Sequence, residues 1–257
     1  MPLRSFYDMK IAVLGDIHSN LPALEAVLRE IKNISPDAVF FTGDAVGYGP
    51  WPGETLDLLR ETVHAGVLGN HDAAVVGKTD VSDYYDAVRY VINWTIDSLS
   101  NEQYGFLDRL KYIHSESEKG SFILSHGSPR MPERYDYVFS SKGVNRLYEV
   151  RQFLKGVNFV GHSHYMNLFV MTGDDKSIEL NISSKDVSVD YPNPVICVCG
   201  SVGQPRDGDN RAGFVTYDTE KKRVQFHRVE YDIEKTIKKI KSLKLPGSFG
   251  ERLRNGY

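Results

Sequence analysis

Residues 10–20 have the sequence KIAVLGDIHSN, in which a short apolar segment is followed at once by polar residues. The segment Lys10–Leu14 is predicted to be a buried strand because its apolar residues run without interruption. Asp16 and His18 are separated by one apolar residue, so both side chains can lie on the same side of an extended chain. Gly15 lets the backbone and a ligand approach each other closely. Such a junction is typical of α/β proteins, whose binding sites lie beyond the carboxyl ends of strands.

The same junction recurs along the chain. Further apolar segments are followed by the motifs GD (residues 43–44), GNHD (69–72), HG (126–127) and GHSH (161–164). Each motif alone is typical of an ordinary turn or helix cap. Five motifs at equivalent positions instead indicate one shared site, and Asp and His are side chains that bind borderline divalent metals. The remaining histidines, His64, His114 and His227, are predicted to have ordinary structural roles.

The order of the predicted elements places an α/β part before a β-rich part. Strand and helix signals alternate as far as His164, and Pro22 suits the first turn of the first helix. Beyond His164 the turn residues are closely spaced, which favours antiparallel hairpins. Since no linker or repeat divides the chain, we predict an α/β (α+β) fold of one domain over residues 1–257. Its core would be two sheets covered by helices.

The composition excludes several classes of protein. The 257 residues carry 31 Lys and Arg against 34 Asp and Glu, and this formal net charge of −3 gives no bulk attraction to nucleic acid or to an anionic membrane. No stretch of about 18 apolar residues is present, and the first ten residues lack the apolar core of a signal peptide. Cys197 and Cys199 fall in one apolar segment and are predicted to be reduced core residues of a cytoplasmic protein.

The motifs, in their order, resemble those of the calcineurin-like metallophosphoesterases. GDIHSN, GDAVGYGP, GNHD, SHG and GHSH span residues 15–164. The later GSVGQPRDGD (200–209) is similar to a loop of the small bacterial and archaeal phosphodiesterase branch, which includes diadenosine-tetraphosphatase-like members. The resemblance implies a four-layer αββα arrangement, a two-sheet β-sandwich flanked by helices, with two bound metal ions.

The resemblance also assigns the site residues one by one. The first metal would be bound by Asp16, His18, Asp44 and His164, and the second by Asp44, Asn70, His126 and His162. Asp44 would therefore bridge the two ions, and a hydroxide between them would attack phosphorus. His71 would be the catalytic histidine, a general acid that protonates the leaving group. Mn²⁺ is the first choice of metal. Fe, Zn²⁺ and Ni²⁺ stay as alternatives because the donor types do not distinguish among these metals.

The substrate is the least defined part of the interpretation. A small phosphodiester or nucleotide is preferred, with a phosphomonoester or a dinucleoside polyphosphate as the alternative. A nuclease for long DNA is disfavoured because the chain has no basic excess to bind the backbone. Arg206 and Arg211 could grip a phosphate oxygen or form ion pairs at the surface. Tyr48 and Trp51 could stack on a base or pack in the core.

Other classes of function make different predictions. A metal-free, protein-binding scaffold, as in the retromer subunit that resembles this family, predicts lost ligands or a lost His71, and every motif position is intact. A metal-retaining, non-catalytic binding scaffold is the competing hypothesis, which predicts bound metal without hydrolysis. Serine-nucleophile chemistry is disfavoured because CGSVG (199–203) has Cys where a nucleophile elbow needs its first Gly. The expected partner is a small phosphoester, without long nucleic acid or membrane, and a homodimer is suggested by the resemblance alone.

Overall fold

A computed structural model describes residues 9–116 and 121–257, so parts of the predicted domain at 1–8 and 117–120 lie outside the described residues. The strands are β1 (Lys10–Leu14), β2 (Ala38–Phe41), β3 (Ala65–Gly66), β4 (Ile113–Glu116), β5 (Phe122–Ser125), β6 (Val157–Val160), β7 (Met166–Met171), β8 (Ser177–Glu179), β9 (Asp186–Ser188), β10 (Val195–Cys199), β11 (Ala212–Asp218) and β12 (Arg223–Val229). The α-helices are α1 (Leu21–Ile34), α2 (Pro52–Thr62), α3 (Asn70–Val75), α4 (Asp86–Ser98), α5 (Asn101–Asp108), α6 (Ser141–Asn145), α7 (Ile233–Ser242) and α8 (Gly247–Asn255). Two 3₁₀ helices cover Pro132–Arg134 and Arg146–Phe153.

Each of the two six-stranded sheets takes strands from both halves of the chain. The first sheet has the order β3-β2-β1-β11-β12-β9, and the second has the order β4-β5-β6-β10-β7-β8. β1 pairs in parallel with β2 and antiparallel with β11. β10 likewise runs parallel to β6 and antiparallel to β7. The predicted fold, two stacked sheets flanked by helices, is confirmed, but the α/β and β-rich parts of the sequence are interleaved within both sheets.

The core lies between the sheets and continues under the helices on their outer faces. Successive side chains of a strand face opposite sides, so Ile11 and Val13 of β1 join the inner core, whereas Ala12 and Leu14 pack under the helices. On β10 both Cys197 and Cys199 are fully buried in the inner core as free thiols, as predicted.

Several short elements have weak signals in the sequence and form through tertiary contacts. α8 has the sequence GSFGERLRN, whose glycines disfavour a helix. It is nevertheless stabilised because Phe249 and Leu253 pack with Val91 and Ile240. The motif GNHD, which alone is typical of a turn, begins α3.

The helices are short, and α1 with 14 residues is the longest among the described residues. Its apolar face is buried on the first sheet through Leu24, Val27 and Ile31. Among the residues that the structure describes, no helix combines the length and the apolar composition needed to cross a membrane.

Candidate metal centre

The polar motifs meet at the carboxyl ends of strands from both sheets. β1, β2 and β3 are parallel neighbours in the first sheet, and β5 and β6 are parallel neighbours in the second. Loop-to-loop hydrogen bonds tie the motifs together: Asp16 N–H donates to the Gly43 carbonyl at 3.0 Å, and His162 N–H donates to the Asp16 carboxylate at 3.1 Å. The seven ligands proposed from the sequence are therefore brought to one place.

The first group of donor atoms belongs to Asp16, His18 and His164. His164 Nε2 lies 3.1 Å from His18 Nε2 and 3.3 Å from Asp16 Oδ1. Asp44 Oδ2 lies 3.6 Å from His18 Nε2. All four side chains are buried. Separations of this size suit donor atoms arranged around a single ion at metal–ligand distances of about 2.1 Å.

The second group belongs to Asn70, His126 and His162. His126 Nε2 lies 3.1 Å from both Asn70 Oδ1 and His162 Nδ1, and 3.3 Å from Asp44 Oδ2. Asp44 Oδ2 therefore faces both groups, while Asp44 Oδ1 accepts the backbone N–H of His71 at 2.9 Å. One carboxylate thus lies between two sets of converging donors, each of which could hold a metal ion.

The hydrogen bonds of three histidines fix which ring nitrogen carries the proton. Nδ1 contacts a backbone carbonyl in each pair: His18 with Val46 at 3.0 Å, His126 with Thr42 at 2.8 Å, and His164 with Gln204 at 2.5 Å. Because a carbonyl only accepts, Nδ1 must be protonated in all three, and the neutral rings of His18 and His164 each present an unprotonated Nε2 to the centre. Lone pairs that face each other at 3.1 Å repel unless a cation lies between them, so the residues present fit a bound metal.

The charges at the centre lead to the same conclusion. Burial lowers the pKa values of His18, His162 and His164 well below their ordinary range, which keeps these rings in the neutral form that binds metal. Burial also raises the pKa of Asp16 to about 7.

Asp44 and His126 behave as a pair. Burial alone would raise the pKa of Asp44, but the neighbouring histidines, His126 foremost, hold it well below its usual value. Burial would lower the pKa of His126, but the Asp44 carboxylate outweighs it and raises that pKa to about 9. In the metal-free protein a proton on His126 therefore supplies the positive charge that the Asp44 carboxylate requires.

The backbone at the centre is strained. Residues with φ between 48° and 66°, in the left-handed region, include Asp16, His18, Asp44, His162 and His164. Non-glycine residues rarely adopt this conformation, which persists only where the surroundings determine it and is often found at functional sites. Here the Asp44 carbonyl accepts two backbone N–H groups, from Ile17 at 2.8 Å and His18 at 3.0 Å.

His71 lies beside the donor groups in the first turn of α3. Its ring is 4.9 Å from the His18 ring and 4.5 Å from the Tyr48 ring, measured between centroids. Its Nδ1 is buried without a hydrogen-bond partner among the described residues, and burial lowers the pKa of His71 to about 4. Gly47, with φ of 96°, is needed here because a Cβ would lie 2.5 Å from His71 Nδ1.

Asp72 has a structural role that the sequence left undecided. One carboxylate oxygen accepts the Val46 N–H at 3.1 Å, and the other accepts the Gly69 N–H at 3.1 Å. Asp72 therefore caps α3 and ties two motif loops together. Among the described residues no hydrogen bond joins the Asp72 carboxylate to the His71 ring, whose Nδ1 has no partner, so Asp72 does not orient that ring.

The structure gives the two candidate arginines, Arg206 and Arg211, different hydrogen-bond partners. Arg206 Nη2 lies 2.9 Å from Gln204 Oε1 and 3.4 Å from the Tyr48 hydroxyl, and no carboxylate among the described residues is within ion-pair distance of it. Its charge is also among the causes that lower the pKa of His164. Arg211 instead donates to Asp209 at 2.9 Å and 2.6 Å, which is the surface ion pair foreseen as its alternative.

Two tyrosines contact proposed ligands of the centre, although no sequence motif identifies them. The Tyr84 hydroxyl accepts a hydrogen bond from the Asn70 amide nitrogen at 3.0 Å, which points Asn70 Oδ1 at His126. The Tyr137 ring stacks on His162 at 4.0 Å with an interplanar angle of 16°. Tyr137 lies in a tyrosine-rich segment after the SHG motif, the one feature of the sequence that could have drawn attention to it.

The fold and the centre together define a protein of the metallophosphoesterase class, and comparisons with known proteins agree. The profile of the calcineurin-like phosphoesterase family matches residues 9–166. An uncharacterized protein of Methanocaldococcus jannaschii is 40% identical over 245 residues, which are 95% of this chain and 96% of that protein. The crystal structure of a metallophosphoesterase from Sphaerobacter thermophilus is 33% identical, with a TM-score of 0.83, and the match covers 97% of this chain and 99% of that one.

A hypothetical protein from Pyrococcus horikoshii shares the fold at 23% identity, with a TM-score of 0.76 over 96% of this chain and 98% of that one. On the family match and the Methanocaldococcus relative, this chain belongs to the calcineurin-like phosphoesterase family. The resemblance found in the sequence motifs is therefore confirmed. Members of this family typically bind divalent metals, and the His and Asp clusters described above are suited to them.

Metal binding is expected to release protons and to strengthen with pH. In the metal-free protein at pH 7, His126 with a pKa of about 9 is protonated, and Asp16 with a pKa of about 7 is partly protonated. A divalent cation must displace these protons, so the affinity for Mn²⁺ should rise by at least about tenfold from pH 7 to 8, and the rise should level off as the pH passes 9. Calorimetric titration in buffers of different ionisation enthalpy measures the protons released. Binding without proton release at pH 7.5 would contradict this account.

Proposed function

We propose that this protein is a dinuclear metal-dependent phosphoesterase that hydrolyses small phosphodiester or nucleotide substrates. The observation that carries the proposal is the buried Asp44 carboxylate, one oxygen of which faces His18 at 3.6 Å on one side and His126 at 3.3 Å on the other. When bound, two ions at such a centre supply a nucleophile at neutral pH and offset the charge that develops on the phosphoryl group.

The proposed ligands keep the assignment made from the sequence. The first ion would be bound by Asp16, His18, Asp44 and His164, and the second by Asp44, Asn70, His126 and His162. The backbone carbonyls that accept from the histidine Nδ1 atoms, and the Tyr84 hydroxyl that holds Asn70, keep the donor atoms aimed inward. Mn²⁺ stays the first choice of metal on the basis of the resemblance.

His71 is the proposed general acid, which donates a proton to the leaving-group oxygen. Burial keeps the free ring neutral at pH 7 because it lowers the pKa of His71 to about 4. An anionic phosphoester next to the ring favours the protonated form, so substrate binding raises that pKa toward the working pH. Among the described residues, no group forms a hydrogen bond with His71 Nδ1.

Arg206 is the proposed binding residue for a non-bridging phosphate oxygen. Its guanidinium is held by the neutral groups of Gln204 and Tyr48, and its Nε has no partner among the described residues. A cation that is positioned but not neutralised is suited to an incoming anion. A phosphomonoester or a dinucleoside polyphosphate stays the alternative substrate, and the homodimer and the cytoplasmic location stay predictions from the sequence.

Replacement of His71 by alanine should remove most turnover while leaving the donor groups in place. General acid catalysis contributes about 10²–10⁴-fold, so kcat for bis-p-nitrophenyl phosphate should fall by that factor in the Mn²⁺-loaded variant. Metal content, measured by plasma mass spectrometry, should be unchanged. His114→Ala is the matched control, since this histidine lies on β4 away from the centre. Unchanged turnover in His71→Ala would exclude the general-acid role.

The bridging role of Asp44 predicts a pattern of metal stoichiometries. The wild-type protein should retain two Mn²⁺ ions per chain after dialysis, whereas His18→Ala and His126→Ala should each lose a different one of the two. Asp44→Ala should lose more than either, because its carboxylate faces both donor groups. Plasma mass spectrometry of the dialysed proteins gives the counts. Two ions retained by Asp44→Ala, or a single ion in the wild type, would refute a shared dinuclear centre.

The two arginines offer a paired test of phosphate binding. Hydrogen bonds to charged groups contribute about 1.5–3 kcal/mol, so Arg206→Met should lower kcat/KM for the diester by about 10- to 150-fold. Arg211→Met should stay within about twofold of the wild type because Asp209 already binds the Arg211 guanidinium. Equal effects of the two substitutions would show that Arg206 does not bind the phosphate.

The scaffold hypothesis gives a different result in the same assays. A metal-retaining binding module would keep its ions yet fail on both monoester and diester panels when loaded with Mn²⁺, Fe or Zn²⁺. The complete donor set and the retained His71 support the enzyme instead. Turnover of any member of the panel that depends on His71 would decide in favour of the enzyme.

A further inference from the structure

A cavity of about 840 Å³ opens directly beside the candidate metal centre. Asn70 and His162 belong to its wall, so the cavity and the centre share two proposed ligands. Its volume lies within the roughly 300–1,000 Å³ of small-molecule sites. Much of the remaining wall comes from the segment after the SHG motif and from α6, which together cover residues 133–146.

The wall presents aromatic rings that are only partly covered. Tyr137 covers the His162 ring with one face, yet 51% of Tyr137 is exposed. Phe139, at 45% exposure, lies 6.0 Å from Tyr137 and stacks on Tyr165 at 5.9 Å and 23°. Such half-exposed rings around a cavity provide flat surfaces on which an aromatic ligand can stack.

The cavity is also suited to an anion. Lys142 and Arg146 line it from α6 and the 3₁₀ helix that follows, and neither has a carboxylate within ion-pair distance in the described part of the chain. Arg134 and Asp136, also in the wall, contribute one charge of each sign and approach each other at 4.0 Å. With Glu133 as the remaining acidic residue of the wall, cations outnumber carboxylates.

The stacking residues considered from the sequence are occupied elsewhere. Tyr48 packs between His18 and His71, with ring centroids at 4.6 Å and 4.5 Å, and against Phe249 at 4.9 Å. Trp51 is buried, with 9% of its surface exposed. Among the described residues, the rings of Tyr137 and Phe139 are more exposed beside the centre than those of Tyr48 and Trp51.

We propose that this cavity binds the aromatic base of a nucleotide whose phosphate lies at the metal centre, with the base stacked on Phe139 and in edge contact with Tyr137, whose ring is nearly perpendicular to that of Phe139. The inference deepens the proposed phosphoesterase function and rests on it for the reaction, because it names the group that the substrate carries beside the scissile phosphoester. Lys142 and Arg146 face any further phosphate of such a substrate. The binding step itself requires no turnover and can be measured separately.

The test compares two ligands that share a phosphate and differ in the base. Adenosine 5′-monophosphate and ribose 5-phosphate are titrated calorimetrically into Mn²⁺-loaded His71→Ala protein, in which turnover is suppressed. The nucleotide should bind about tenfold more tightly, within the range expected for one stacked base. Adding Phe139→Ala should abolish most of this preference and leave ribose 5-phosphate binding unchanged. Phe139→Tyr should retain the preference.

Phe153→Ala serves as the matched control, since this phenylalanine is 68% exposed and lies outside the cavity wall. Equal affinities of the two phosphates, a preference that survives Phe139→Ala, or equal weakening of both ligands by Phe139→Ala would each overturn the inference. Base-dependent binding in a protein that hydrolyses no phosphoester would refute the proposed function while supporting the base site. Hydrolysis without base-dependent binding would support the proposed function and refute the base site.

Discussion

A buried negative charge at Asp44 is the constraint around which the rest of the centre is arranged. A carboxylate that is fully removed from water is costly unless positive charge or hydrogen-bond donors surround it. One oxygen of Asp44 accepts a hydrogen bond from the backbone N–H of His71, and the other faces His18 and His126. Without a metal, the proton on His126 provides the compensation, and its raised pKa reflects that need. The same geometry makes the carboxylate a natural bridge between two cations.

The two-sheet architecture brings the five motif loops to one place. Parallel neighbours in each sheet deliver their following loops to the same edge, and the stacking of the sheets brings the two edges together. The loops then turn sharply, and proposed ligands such as Asp16 and His162 adopt left-handed backbone conformations. That strain is held by backbone hydrogen bonds between motifs, through which the loops support one another. A centre built this way depends on the whole fold rather than on any single motif.

Much of the candidate centre could be predicted because the proposed ligands lie in short motifs that carry their own sequence signal. Other features depended on neighbours distant in the sequence. By sequence Asp72 could orient His71 or be an ordinary turn residue, and only the positions of Val46 and Gly69 show that it caps α3. Arg206 and Arg211 are equivalent by sequence, yet Asp209 binds one guanidinium and leaves the other facing the centre.

The sequence by itself determined the α/β class of fold, because apolar periodicity is a local property of the chain. The resemblance of its strand-end motifs to a known family then indicated the family and the proposed ligands. The tertiary structure alone decided how the two halves interleave in both sheets, since strand order depends on pairings between segments far apart. It also decided the aromatic wall around Tyr137 and Phe139. Their surroundings come from folding α6 and the loop before it against the motif loop of His162, and no local pattern encodes such a contact.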